Sequence, residues 1–301
     1  MTRPTIASRA SDRLPGWSFA VGAMVVWQIG SAASTGLFAA VGVAGTAWLR
    51  LTIAALILIA INRPRVRGRS PSELAAAVAF GAAIAGMTIT FLAALDRIPL
   101  GTAVALGFMG PLTLAVLGTR SIGGLIWPLL AVLGVLALTQ PWAGPVDALG
   151  IAFALGNAFC WALYILMSAR VGGTFAGVEG LALTVPIAAV IMAVPGIPEA
   201  AGGITPGVLV VATVIALFVA VIPYSLDMMA LRRISTAAFG TISAIQPALG
   251  ALVGLIVLGQ IPPATSLVGT VLVVIAGVGA MRAEAARHAE RLLAQQAAVS
   301  V

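Results

Sequence analysis

Between Trp17 and Met281 the sequence is a succession of apolar runs, each 18 to 24 residues long and almost free of charge. About 20 apolar residues carry a helix across a bilayer core. A water-soluble fold is closed to such a chain. Its 8% of charged residues cannot cover a globular surface, where about 25% is usual. Read between polar and Pro/Gly breaks, the runs fall at 17–38, 43–61, 73–95, 100–118, 122–139, 149–169, 177–195, 207–230, 235–258 and 264–281. The fold class expected is an all-α membrane protein of ten transmembrane helices, with tails at 1–16 and 282–301.

The arginines orient it. Arg3, Arg9 and Arg13 precede the first span, and Arg63, Arg65, Arg67 and Arg69 follow the second. Arg120, Arg170, Arg232 and Arg233 follow spans four, six and eight, and Arg282, Arg287 and Arg291 follow the tenth. With the N-terminus in the cytoplasm, 14 of the 16 arginines are inside, Arg97 is outside and Arg50 is in span two. Positive residues in short loops mark the cytoplasmic side, so both termini are expected there. The first span is too long and polar for a signal-peptide core and is expected to be retained. The C-terminal tail reads as a solvated helical extension.

Several chemistries are absent. There is no lysine, which excludes a phosphate-binding P-loop and Schiff-base catalysis. The one histidine, His288, lies in the C-terminal tail, so a Ser-His-Asp triad and a histidine metal cluster are excluded. A single cysteine, Cys160, allows no internal disulfide and reads as a small buried apolar residue. The basic residues are scattered over loops rather than gathered on one face, which argues against nucleic acid. No enzyme, metal or cofactor is expected. The expected partners are a small-molecule substrate and the lipid bilayer.

An internal repeat is visible. Ala94-Leu95-Asp96-Arg97-Ile98 aligns with Ala230-Leu231-Arg232-Arg233-Ile234, and the same offset of 136 places Pro111 on Pro247. Near an offset of 134, Gly22 and Trp27 fall on Gly156 and Trp161. The halves are 17–139 and 149–281. A five-span unit followed by its copy must cross the membrane the opposite way, and inverted repeats are characteristic of secondary transporters.

The candidate site follows from breaks and stripes. Pro111 and Pro247 interrupt spans four and nine at matched positions, beside Gly107, Gly110, Ser243 and Gly250. Such paired interruptions point to a mid-depth site, where freed carbonyls accept hydrogen bonds; curvature for packing is the competing explanation. Gln28, Ser31 and Thr35 share one face of span one, and Trp161, Tyr164 and Ser168 one face of span six. Tyr224 with Asp227, and Ser243 with Gln246, do the same on spans eight and nine. The cavity candidates are therefore Gln28, Ser31, Gly107, Pro111, Trp161, Tyr164, Tyr224, Gln246 and Pro247. Two ionisable residues lie within spans and need partners or water. Asp227 carries a coupling proton or anchors to Arg232 or Arg233, and Arg50 reads as an interhelical clamp. The small residues Gly81 and Gly86, and the GxxxG of Gly250 and Gly254, read as tight packing within the chain, with a homodimer left open.

These stretches carry a family resemblance. Ile98-Pro99-Leu100-Gly101-Thr102-Ala103-Val104-Ala105-Leu106-Gly107-Phe108-Met109-Gly110-Pro111, Cys160-Trp161-Ala162-Leu163-Tyr164-Ile165-Leu166, Pro223-Tyr224-Ser225-Leu226-Asp227-Met228-Met229-Ala230-Leu231 and Phe239-Gly240-Thr241 to Gln246-Pro247-Ala248 resemble the drug/metabolite transporter superfamily. Within it the chain is similar to the EamA family, in its threonine/homoserine exporter branch. The resemblance implies ten helices in two inverted five-helix repeats and a cavity between helices one, three, four, six, eight and nine. It also implies export of small metabolites, often amino acids, by alternating access. Where the family often has glutamates, this chain has Gly107, Gln246 and Gln260. That shifts the expected ligand toward a less cationic or more apolar one, which Phe108, Met109, Trp161 and Tyr164 suit. Export of other metabolites or drugs, and a non-transporting polytopic membrane protein, are the alternatives.

Overall fold

The computed structural model describes residues 15–62, 70–117, 126–140, 147–172, 178–231, 233–234 and 236–299, and these are helical apart from short connections. Arg3, Arg9, Arg13, Arg63, Arg65, Arg67, Arg69, Arg120 and Arg232 lie outside the described residues. The helices are α1 (Gly16–Ser34), α2 (Phe38–Asn62), α3 (Pro71–Leu95), α4 (Leu100–Gly107), α5 (Met109–Leu117), α6 (Ile126–Thr139) and α7 (Ala148–Gly172). They continue as α8 (Val178–Ala200), α9 (Pro206–Ala216), α10 (Ile222–Leu231), α11 (Thr236–Ser243), α12 (Gln246–Leu258) and α13 (Ala264–Val299). Seven stretches are long and apolar enough to cross a membrane, and two shorter apolar helices lie at Leu100–Leu114 and Ile126–Thr139. The molecule is a multi-pass membrane protein.

Some boundaries differ from the sequence reading. The gap expected at Ala39–Gly42 shrinks to one residue: Thr35–Leu37 forms a 3-10 turn and helix resumes at Phe38, broken only at Gly42. Gly42 has φ +69°, a backbone that disfavours a side chain. The helix that restarts there is capped by a carboxylate from α8, since Val43, Ala44 and Gly45 N–H donate to Glu199 at 3.2, 2.5 and 3.1 Å. The seventh span runs to Ala200, five residues past its expected end, carrying Pro195 and Pro198 within it. The last helix continues through the C-terminal tail to Val299, as a helical extension requires.

Local chemistry recurs at the repeat offset. Ser70 caps α3 ahead of Pro71, accepting from Glu73 N–H at 3.3 Å; Thr205 caps α9 ahead of Pro206, accepting from Val208 N–H at 3.2 Å. After α3, Arg97 and Ile98 N–H donate to Ala94 O at 2.9 and 2.8 Å. After α10, Arg233 and Ile234 N–H donate to Ala230 O at 2.8 and 2.9 Å.

Packing recurs too, with the halves exchanged. Gly16 at the start of α1 abuts Arg233 and Ile234, whereas Gly150 at the start of α7 abuts Arg97 and Ile98. Gly22 meets Leu226, and Gly156 meets Thr90. Helices α2 and α8 pack along each other, as do α6 with α13 and α4 with α12; α3 packs on α7, and α1 on α10. The main core lies among α2, α3, α4, α7 and α8. Large apolar side chains such as Leu56, Phe159, Val194 and Ile256 face outward, as a lipid solvent permits.

Candidate functional site

Gln28 stands in the middle of α1 and is wholly inaccessible. Its Nε2 donates to the backbone carbonyl of Gln246 at 3.2 Å. Gly250 makes room for it: a Cβ there would lie 3.4 Å from Nε2 and 3.1 Å from Val104. The other end of the amide is unsatisfied. Gln28 Oε1 and, one turn on, Ser31 Oγ are buried with no hydrogen-bond partner. An unpaired buried polar atom costs about 1–3 kcal/mol. Other hydroxyls are spent on their own helices. Ser34, Thr90, Thr184 and Ser243 donate to Gly30, Gly86, Gly180 and Phe239 carbonyls at 2.6–2.9 Å. Thr35 likewise donates to Ala32 O at 2.8 Å. Among the described residues the buried side-chain atoms left without a partner are Gln28 Oε1 and Ser31 Oγ on α1 and Arg50 Nη1 and Thr52 Oγ1 on α2.

Two spans are broken at matched positions. Phe108 separates α4 from α5, and Ala244 and Ile245 separate α11 from α12. Pro111 and Pro247, both buried, follow these breaks. Lacking N–H groups, they leave the carbonyls of Gly107 and Ser243 without their usual helical donors. A third break was not anticipated. Leu217–Val221 between α9 and α10 forms a π-helical turn, and Pro223 follows it. Gly30 packs against Phe218 and Val219 of this turn. The signal was Pro223 in mid-span, and π turns recur at functional sites.

The aromatic candidates pack against rings of neighbouring helices. Trp161 stands edge-on to Phe108 with centroids 6.2 Å apart, and Tyr164 stacks on Phe80 at 5.0 Å. Trp27 meets Phe91 at 5.1 Å. Both Trp161 and Tyr164 are half-buried. The side chains of Tyr224 and Ser168 lie outside the described residues. Asp227 is half-buried on α10. Of its expected anchors, Arg232 lies outside the described residues, and Arg233 sits over the Phe19 ring at 4.5 Å and donates to Met229 O. Arg50 is buried, and its Nη1 finds no acceptor, so the expected clamp has no partner at that nitrogen. Among the described residues no group of His, Cys, Asp and Glu is placed to hold a metal. A cavity of about 50 Å³ lies at the ends of α4, α12 and α13, beside Thr102, Gln260, Ser266 and Thr270.

Residues 148–281 match the EamA-like transporter family. Over 268 residues the chain is 36% identical to the threonine/homoserine exporter RhtA of Escherichia coli strain K12, covering 85% of this chain and 88% of that one. The RhtA of Salmonella typhimurium strain LT2 gives 36% over 262 residues with the same coverage. The chain belongs to the EamA-like transporter family. A solved structure described only as "Crystal structure of protein" shares the fold, with a TM-score of 0.60 and 21% identity over 92% of this chain and 98% of that one. Transporters of this family are not enzymes, which agrees with the missing catalytic chemistry.

In this EamA-like transporter Gly107, Gln246 and Gln260 each make a defined contact. The space a side chain at Gly107 would need is taken by the amide nitrogen of Asn157, a buried residue of α7 that sequence reasoning missed. Gln246 offers Gln28 its carbonyl. Gln260 Oε1 accepts from Leu100 N–H at 3.0 Å, capping α4. Gly254 abuts that same Oε1 and Leu100, and Gly101 abuts Ala251. The GxxxG is thus a seam between α12 and α4 within one chain.

Proposed function

We propose that this transporter exports amino acids, threonine and homoserine or more apolar ones, across the inner membrane by alternating access, as a secondary-active carrier. The observation that carries the mechanism is the pair of unpartnered atoms at Gln28 and Ser31, on a helix that packs against the break before Pro247 and against the π turn at Leu217–Val221. Both residues are wholly inaccessible, which supports reading this arrangement as an occluded member of the cycle. The substrate class rests on the 36% identity to the RhtA exporters over most of both chains.

The architecture proposed is ten helices in two inverted repeats, 17–139 and 149–281, with both termini cytoplasmic. The stretch Gly16–Ile61 is 46 residues, about 69 Å of helix, too long for one crossing and broken at Gly42. Counted as two, and with the two shorter apolar helices added, the seven candidates become ten. The exchanged contacts of Gly16 and Gly150 support the inversion. Two like halves in opposite orientations give two states of similar energy by exchanging roles.

No carboxylate is buried among the described residues, which favours a ligand whose ammonium is met by helix carbonyls over one bound through a side-chain anion. The test is efflux of L-threonine, L-homoserine and leucine from cells over-expressing the protein. Export of at least one of them is expected, weakened in Gln246→Leu and Trp161→Ala with membrane insertion intact. Failure to export any amino acid, with the protein present in the membrane, removes the substrate class.

A further inference from the structure

Arg50 is the one charged side chain buried among the described residues, at 7% exposure. It stands about 10 Å along α2 from the helix start that Glu199 caps. Its Nη1 has no hydrogen-bond partner. No acidic side chain is buried among the described residues to balance it, and the ion pair between Arg97 and Asp147 lies at an exposed turn.

The faces of α2 show where Arg50 points. Ala47, Leu51, Ala54 and Leu58 cluster with Ala188 and Met192 of α8. Leu49 and Ile53 cluster with Ala212 and Ile215 of α9 and with Val219 of the π turn. At 100° per residue, Arg50 projects between these two rows and away from the lipid-facing Leu56 and Ile59. Its guanidinium therefore enters the protein interior. Val219 also touches Gly30, the neighbour of Ser31. Leu49 and Ile53, which bracket Arg50, and Gly30, the neighbour of the unpartnered Ser31, thus pack toward one π turn.

A buried cation without a counter-ion is strongly unfavourable, more so in a bilayer. A guanidinium is matched in shape by a carboxylate, which it binds through two parallel hydrogen bonds. Since the described protein supplies no buried anion, the anion comes from outside it. We propose that Arg50 receives the carboxylate of the transported amino acid, with Ser31 Oγ and Gln28 Oε1 available to its remaining polar groups. The assignment rests on the amino-acid reading and deepens it: the transporter selects for a free α-carboxylate and against the amide or alcohol of the same compound.

The test is competition against tritiated L-threonine bound to purified protein in detergent, with L-threonine, L-threonine amide and L-threoninol as competitors. Wild type is expected to prefer the acid over both by at least about 30-fold, the usual scale for losing one partner of a buried charge pair. In Arg50→Met the acid weakens until that preference disappears, and Arg50→Lys retains a reduced preference. Equal weakening of all three competitors, with the ratio unchanged, makes Arg50 structural and overturns the assignment. So does a wild type that binds the amide as well as the acid. Should Arg50→Met not insert, Arg50→Gln takes its place and is expected to lose the preference in the same way. Wild type that exports none of the amino acids tried contradicts the amino-acid reading itself.

Discussion

Gln28→Leu separates stability from transport. Leucine nearly preserves the side chain's volume. It removes the single bond from Nε2 to Gln246 O, 3.2 Å long, and also the unsatisfied Oε1. An interhelical hydrogen bond in a membrane is worth about 0.6–2 kcal/mol. Relief of the buried acceptor returns about 1–3 kcal/mol. The Gln246 carbonyl keeps its place at the start of α12. The balance runs from a loss of about 1 kcal/mol to a gain of about 2 kcal/mol, so the fold is expected to hold. Transport moves the other way. If Oε1 meets the substrate in the occluded state, its loss removes one hydrogen bond, and about 1.4 kcal/mol is tenfold in affinity. Thermal unfolding in detergent and export from proteoliposomes read the two effects on one preparation. Full transport by Gln28→Leu refutes the placement of substrate at Gln28. A variant that unfolds far below wild type refutes the claim that Oε1 is a standing cost.

Gly101→Val places a Cβ 2.7 Å from the Ala251 backbone, so the seam of α4 and α12 must open; a loss of 1–3 kcal/mol or more is expected, read as a lower unfolding temperature and reduced membrane yield. Glu199→Ala strips three N–H groups of α2 of their acceptor, and a loss of about 0.5–2 kcal/mol is expected, with Glu199→Gln recovering part of it. Asp227→Asn is expected to insert normally and keep the pH profile of export; a shifted profile reassigns Asp227 to proton coupling.

Much of this was legible in the sequence because membrane helices obey few and strong rules. Length and apolarity of each run set the elements, and Pro111 and Pro247 marked the breaks because a missing N–H cannot be compensated by water in lipid. The face shared by Gln28 and Ser31 followed from helical spacing and survives as the pair of unpartnered atoms. Three features were not legible. Glu199 caps a helix 156 residues away, which no local pattern announces. Asn157 fills the notch at Gly107, a matter of three-dimensional fit. Trp161 and Tyr164 find ring partners on other helices, so their stripe packs where helical spacing alone left packing and lining open. Pro223 was readable, but the π turn before it depends on how the chain widens to accommodate the ring.

Single cysteines introduced one at a time in a Cys160→Ala background, then labelled from each side of the membrane, test the inverted ten-helix arrangement most directly. Positions Gly36, Asp96, Gly202 and Ile261 are predicted to label from outside the cell, and Ser70, Leu117 and Ile234 only from the cytoplasm. Labelling of Ser70 and Gly202 from the same side would contradict it.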